Sequence, residues 1–379
     1  MAASSWKDEW AEMRKAGKKL LWWVGHLSGA RFLREQLHPR TSKEKDGKQP
    51  PSTIVFWLGG TYLALFGVAS ARHESAVDRL ELRASFVVAL LANDTTRVGA
   101  CVQVAGLQAR KVPTPPLFGD PFFFTSFWES EIYPEGVELL KRAVEASKEH
   151  LAKADLSGAD LTGANLHGAN LSEAEMVETK LSGADLTGAN LHGANLFEAE
   201  MVETKLSGAN LTGANLHGAN LSEAEMVETK LSGANLTEAT LRKVDLSMSS
   251  LTKADLGWAN LRGANLYKVD LTKANLSRAN LDKTDLRWAK LPWTKLPWAD
   301  LRGANLDGAN LYEAVLFKAN LHGADLSGVL LHGADLYGMK GWPDVTSYKS
   351  TFIYNLKSAP KGFREYALSK GATEDPLPE

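Results

Sequence analysis

Three histidines, His167, His192 and His217, recur every twenty-five residues, and His322 and His332 stand ten apart. Recurring imidazoles suggest a metal, which needs its ligands to converge within a few ångströms. The segment Glu-Ala-Glu-Met-Val-Glu-Thr-Lys occurs three times, starting at Glu173, Glu198 and Glu223. Its carboxylates are of the type that does general acid and base work when two of them face one another. Nucleophilic chemistry has less support. Cys101 is the sole cysteine, which excludes an intrachain disulfide framework and a cysteine-based zinc site. No G-x-S-x-G, P-loop or G-x-G-x-x-G motif is present, so no nucleophile elbow or phosphate-binding loop is signalled. The last group recognises instead of reacting. Trp258, Trp288, Trp293 and Trp298 stand among lysines and arginines, and contiguous apolar surface with arginine is what binding patches are made of.

Which of these side chains can meet depends on what holds them. From Leu156 to Leu336 every fifth residue is leucine, except Met176, Met201 and Met226, giving thirty-seven consecutive units without a break in register. The residue two before each centre is alanine in most units, otherwise threonine, serine or valine, as at Thr179, Ser249 and Val244. The residue just before each centre is usually Asp or Asn. A period of five matches neither the 3.6 of an amphipathic helix nor the 2 of a strand. It fits a coil of short straight sides and regular corners, with the leucine and the small residue always inward. One such unit buries nothing alone, so neighbours must stack into a solenoid. The dense Asn, Asp and Gly supply turn chemistry at the corners.

This pattern resembles the pentapeptide-repeat family, whose signature A(D/N)LXX stands here as Ala164-Asn165-Leu166-His167-Gly168. The resemblance implies an all-β solenoid, a right-handed quadrilateral β-helix with four units per coil, over residues 151–340, and it implies nothing catalytic. Thirty-seven units then make about nine coils, roughly 45 Å long at about 4.8 Å per coil. Both open ends need caps, which the sequence places at a helix over 136–150 and at 341–379, with Trp342, Phe352, Tyr354 and Phe363.

With twenty residues per coil, residues i and i+20 share one side. His167, His192 and His217 then fall on three sides, and His322 and His332 on opposite ones. The repeated glutamates scatter likewise, so neither a metal site nor a cofactor site nor a catalytic pair is expected, and the chain reads as a non-enzyme. Lys180 and Glu200, and Lys205 and Glu225, are expected to pair across adjacent coils. One column gathers Trp258, Arg278 and Trp298, with Arg278 between the two indoles, and a second beside it holds Pro297, Phe317 and Tyr337. Trp258, Arg278, Trp298, Phe317 and Tyr337 form the candidate interaction stripe, against the plainer reading that these rings only stack on one another.

The 379 residues exceed the usual single domain. A net charge of −2, with 23% charged residues, argues against a nucleic-acid binder. That average hides segregation. Residues 156–240 sum to −9 and residues 241–302 to +6, while residues 1–52 are basic. Thr53 to Ala71 are nineteen uncharged, mostly large apolar residues, close to the roughly 20 that cross a bilayer. The expectation is one continuous transmembrane helix over 53–71, projecting from the rod and anchoring the protein in a lipid bilayer as a single-pass membrane protein. A buried core helix and a cleaved signal peptide ending at Ala69-Ser70-Ala71 are the alternatives. Residues 72–93 read as a helix whose Val77, Leu80, Ala84, Val87 and Leu91 form a seam for homo-oligomers. Proline-rich residues 94–135 read as an irregular connector.

The sequence thus describes a non-catalytic, membrane-anchored rod that acts as a scaffold for a protein partner. The alternative follows the quinolone-resistance branch of the resembled family, whose acidic rods mimic DNA and modulate a type II topoisomerase. Only residues 156–240 are acidic enough for that role.

Overall fold

The computed structural model describes residues 66–81, 83, 107–108, 110–113, 130–132 and 134–375. All of them belong to the compact unit Leu63–Glu379. The basic segment 1–52, residues 53–65 of the expected span and most of the connector lie outside the described residues.

Parallel bridges join each residue before a centre to the residue twenty further on, without interruption from Asp155–Glu175 to Asn320–Lys340. Twenty residues per coil and five per unit make a four-sided β-helix. Its repeat follows from local chemistry. The N–H of Leu156 donates to the Glu175 carbonyl at 2.7 Å, and the N–H of Glu175 returns to Ala154 at 2.9 Å, so each side is pinned to the next coil. The corner closes inside the unit, with the Ala159 N–H donating to the Leu156 carbonyl at 3.0 Å. Such a turn needs a left-handed third residue, and the residue two after each centre has positive φ throughout the helix, as at Gly158, +66°. The Asp or Asn before each centre accepts from the N–H two residues later, as Asp155 does from Ser157 at 3.0 Å. Asparagines also ladder between coils, Asn215 donating to Asn195 at 2.9 Å and Asn235 to Asn215 at 3.1 Å.

The leucine or methionine centres and the residues two before them are buried along the whole rod. Inward hydroxyls are satisfied: Thr204 and Thr294 donate to the carbonyls of Leu181 and Leu271 at 2.9 and 2.8 Å. Such bonds remove the penalty of a buried polar group. Lys180–Glu200 and Lys205–Glu225 do stack as bridge partners. The expected ion pairs between them are not made, although Asn195 at an equivalent position donates to Glu175 across coils at 2.7 Å. Cross-coil pairs instead form at corners, as Lys153–Glu173, 3.5 Å, and Lys243–Glu223, 2.9 Å.

The first mouth is closed by helix Pro134–Ala146 and a 3₁₀ turn at Lys148–His150, not by one helix over 136–150. Leu140 and Val144 are buried in the core cluster with Leu151, and Leu80 and Leu107 join them. The exposed strand edges of the first coil are paired by other groups. The Gln108 side chain donates to the Asp160 carbonyl at 2.8 Å and accepts from its N–H at 2.6 Å. Glu145 accepts from the Asn165 N–H at 2.6 Å, and the Lys148 carbonyl from the Asn170 N–H at 2.7 Å. An unpaired edge invites another chain, and these groups occupy it. The connector is not wholly irregular, since Lys111–Pro113 pairs antiparallel with Ser130–Ile132.

Membrane localisation is corrected here. No helix among the described residues is long and apolar enough to cross a membrane. Residues 66–81 are one helix that runs past Ala71 into Arg72, Glu74, Asp78, Arg79 and Glu81. Its Leu80 is buried in the rod's core, with Ala76 and Val77 packed against it. The helix is therefore amphipathic, and its apolar side closes the rod instead of projecting from it. The same packing engages Val77 and Leu80, so they are not free for the expected oligomer seam; Ala84, Val87 and Leu91 lie outside the described residues.

At the far end the coil does not stop at Gly341. It continues irregularly, with bridges Asp325–Ser347 and Leu330–Phe352 at a step of twenty-two and Asp335–Ser358 at twenty-three. Gly341 has φ +66°, and a Cβ there would lie 2.5 Å from the His322 nitrogen, so no leucine fits this centre. Tyr348, Ile353 and Phe363 fill the last coil, and helix Phe363–Ser369 covers it. Tyr354, expected in this cap, is exposed.

Candidate functional site

The corner position two after each centre places its side chain in solvent and holds it in the left-handed region. Glycine is the residue that region favours, and other residues pay roughly 1–2 kcal/mol for it. From Glu238 to Trp298 thirteen successive corners contain one glycine, Gly263. Elsewhere in the rod glycine is far commoner at this position. Side chains are thus displayed here against local preference.

The four tryptophans follow this rule. Trp258, Trp288, Trp293 and Trp298 have φ between +55° and +60°, and all are exposed, Trp258 most, at 59%. They divide over three corners. Trp288 lies flat on the next coil, where a Cβ on Gly308 would meet its ring at 2.9 Å. Trp293 meets Tyr312 edge-on at 5.4 Å and takes Lys273 over its face. Trp258 and Trp298 share the third corner with Arg278, as the spacing required.

The predicted stripe is brought together with one change. The Arg278 guanidinium lies over Trp258, 5.7 Å from the ring centroid, and is not sandwiched between two indoles. Lys318, one coil beyond, covers Trp298 at 4.3 Å instead. Trp298 turns edge-on to Phe317, 6.0 Å away, and Phe317 stacks on Tyr337 at 5.7 Å. The two columns read from the sequence are therefore one continuous surface from Trp258 to Tyr337. Lys318 was not among the expected residues, although the twenty-residue spacing places it in the same column.

Three other arginines of the basic half are neutralised locally, Arg262 by Asp282 at 3.1 Å, Arg287 by Asp285 at 2.6 Å and Arg302 by Asp300 at 2.7 Å, whereas Arg242 forms no ion pair among the described residues. The hydrogen bond from Arg287 holds the Asp285 carboxyl below the usual range. Among the described residues, Arg278 and Lys318 have no carboxylate partner.

A second ladder was not anticipated. His332 stacks between Tyr312 and Tyr354, at 5.1 Å from each. Tyr312 and His332 are twenty apart, so the spacing could have revealed them; Tyr354 joins only because the last coil is lengthened. The remaining histidines fall on separate corners as expected, and no group of His, Cys, Asp and Glu among the described residues could hold a metal. A cavity of about 210 Å³ beside the first cap is lined by Arg79, Arg83, Arg110 and Lys111 with Ala76 and Leu80.

Known proteins share the repeat. The pentapeptide-repeat family matches in eight copies between residues 150 and 333. HetL of the cyanobacterium Nostoc sp. strain PCC 7120, a pentapeptide-repeat protein involved in heterocyst differentiation regulation, is 36% identical over 53% of this chain and 95% of its own, with a TM-score of 0.30. A trypsin-treated variant of QnrB1, a plasmid-mediated fluoroquinolone resistance protein, is 24% identical over 44% of this chain and 90% of its own, with a TM-score of 0.36. No curated protein matches the chain. Pentapeptide-repeat structures are right-handed quadrilateral β-helices, and the twenty-residue coil, its left-handed corners and the eight repeat matches agree: the chain belongs to the pentapeptide-repeat family.

Proposed function

We propose that this rod is a non-catalytic scaffold that binds a protein partner along the corner carrying Trp258, Arg278, Trp298, Phe317 and Tyr337. One observation carries the reading: exposed rings and unpaired cations alternate at positions where the backbone favours glycine. Self-stacking alone would not require that. Aromatic and arginine side chains are the usual anchors of interfaces, and a rigid rod presents them with little entropy to lose.

The test is a photo-crosslinking residue placed at Trp298 in cells producing the protein, with Met248, on another corner, as the control. Discrete adducts from position 298 alone support the reading, and Arg278→Glu should remove them while the rod stays folded. Equal labelling at both positions, or none at 298, rejects it.

A second reading, modulation of a type II topoisomerase by DNA mimicry, draws on the net −9 of residues 156–240. The basic segment on the same rod opposes it. The full chain should leave gyrase supercoiling unchanged; inhibition at stoichiometric concentration would favour this second reading.

A further inference from the structure

The column that carries Trp258 begins five coils earlier, at Gly158. Glu178, Glu198 and Glu238 occupy its first half, with Gly218 among them, and Arg278, Trp298 and Lys318 occupy its second half, all with positive φ. The adjoining column, one residue earlier, holds Val177, Phe197 and His217 on the acidic side and Pro297, Phe317 and Tyr337 on the basic side. Thr237, Gly257 and Ser277 lie between them. Reversal about residues 257 and 258 sets opposite charges together at two positions and rings together at Phe197 and Phe317, while Glu178 falls on Gly338 and His217 on Pro297.

We propose that two copies of this chain associate side by side and antiparallel along this corner, with Trp258 on the two-fold axis. The proposal rests on the reading of this corner as a protein-binding surface and names its occupant. An antiparallel copy in that register sets Glu238 against Arg278 and Glu198 against Lys318. Trp298 then faces Gly218, which has no side chain of its own and is overhung by Glu198 from the preceding coil. In the adjoining column Phe197 meets Phe317 and Val177 meets Tyr337, so apolar groups face apolar groups. An isologous contact repeats each pair twice.

The charges are available for it. Among the described residues, Glu178, Glu198, Glu238, Arg278 and Lys318 form no ion pair within the chain. On the corner of Glu223 and Lys243 the opposite charges neutralise one another at 2.9 Å instead. Phe197 is already flanked by His217 at 5.3 Å, and Phe317 by Tyr337 and Trp298, so each half presents a preformed ring cluster. From Glu178 to Gly338 the strip spans eight coils, roughly 38 Å at about 4.8 Å each. One corner of that length belongs at the low end of specific interfaces, and its exposed charges are screened by salt. The dimer is therefore weak and salt-sensitive.

Sedimentation equilibrium of the full chain, over a range of concentrations at low and high salt, tests this. A reversible dimer that weakens with salt is expected. Glu238→Lys and Arg278→Glu each place two like-charge pairs in the interface and should weaken self-association at least tenfold, with circular dichroism unchanged. Mixing these two variants restores both attractive pairs and should recover a dimer, as should the double variant alone. A wild-type chain that stays monomeric, a dimer indifferent to both reversals, or a mixture that does not recover overturns the proposal. An adduct from position 298 with a different protein, found alongside a monomeric chain, would remove the second copy as occupant and leave the surface intact. Silence at 298 would remove both.

Discussion

Replacing Arg278 by glycine separates display from structural support. Arg278 sits at φ +60°, where a residue with a Cβ carries roughly 1–2 kcal/mol of strain that glycine relieves. Against that relief stands the lost contact with Trp258, about 0.5–1 kcal/mol at an exposed site. Glycine also frees the unfolded chain, which costs about 0.4–1 kcal/mol. The guanidinium holds no carboxylate, so no ion pair is lost. These terms nearly cancel, and rod stability should change by less than about 1 kcal/mol. Urea unfolding followed by circular dichroism reads this without depending on indole fluorescence. The denaturant slope should be unchanged, since it follows the area exposed. Self-association, in contrast, should fall at least tenfold. A stability loss above about 2 kcal/mol would show that Arg278 is a strut of the rod, and unchanged association would show that it is not displayed for binding. Either result refutes the reasoning.

Further expectations concern the rod and its caps. Leu236→Ala empties a fully buried centre and should cost about 2–5 kcal/mol, read as a lower urea midpoint. Gly341→Ala puts a Cβ 2.5 Å from the His322 nitrogen, and overpacking against backbone costs about 1–3 kcal/mol or more. Faster hydrogen exchange confined to the last coil would report it. Gln108→Ala leaves the N–H and carbonyl of Asp160 unpaired at the first edge, costing about 1–3 kcal/mol, with increased light scattering as edges join. Burial raises the Tyr348 phenol above its ordinary range. A raised folded-state pKa means this stability is complete below the unfolded value of about 10 and is lost as pH rises beyond it. The urea midpoint should therefore fall above about pH 10, and Tyr348→Phe should flatten that dependence.

The coil itself was legible in the sequence. A five-residue unit closes its corner through its own Leu carbonyl, Ala N–H and Asp or Asn side chain, so inward and outward positions follow from local geometry. With the four units per coil that the family resemblance implied, the exposed column of Trp258, Arg278 and Trp298 could be read before any coordinates, as could the separation of the histidines. The spacing gave the column but not which neighbour each side chain chooses: Lys318, not Arg278, covers Trp298. Contacts between neighbouring columns, such as Trp298 with Phe317, were not legible either. Tyr354 reaches the ladder of Tyr312 and His332 through two extra residues in the last coil, which no period contains.

The ends depended most on tertiary structure. Apolarity showed that the segment near Ala69 must be covered, without showing by what, and hydrophobic burial is non-directional. The folded chain lays the helix of residues 66–81 against the open mouth, where Leu80 joins the buried cluster that includes Leu140 and Val144, and Val77 packs against it. Gln108 had no motif to mark it, because a side-chain amide becomes an edge partner only where the fold brings it beside Asp160. Short-range hydrogen bonding wrote the repeat into the sequence residue by residue, whereas the capping of its ends arises from surfaces far apart in the chain that exist only once the coils have stacked.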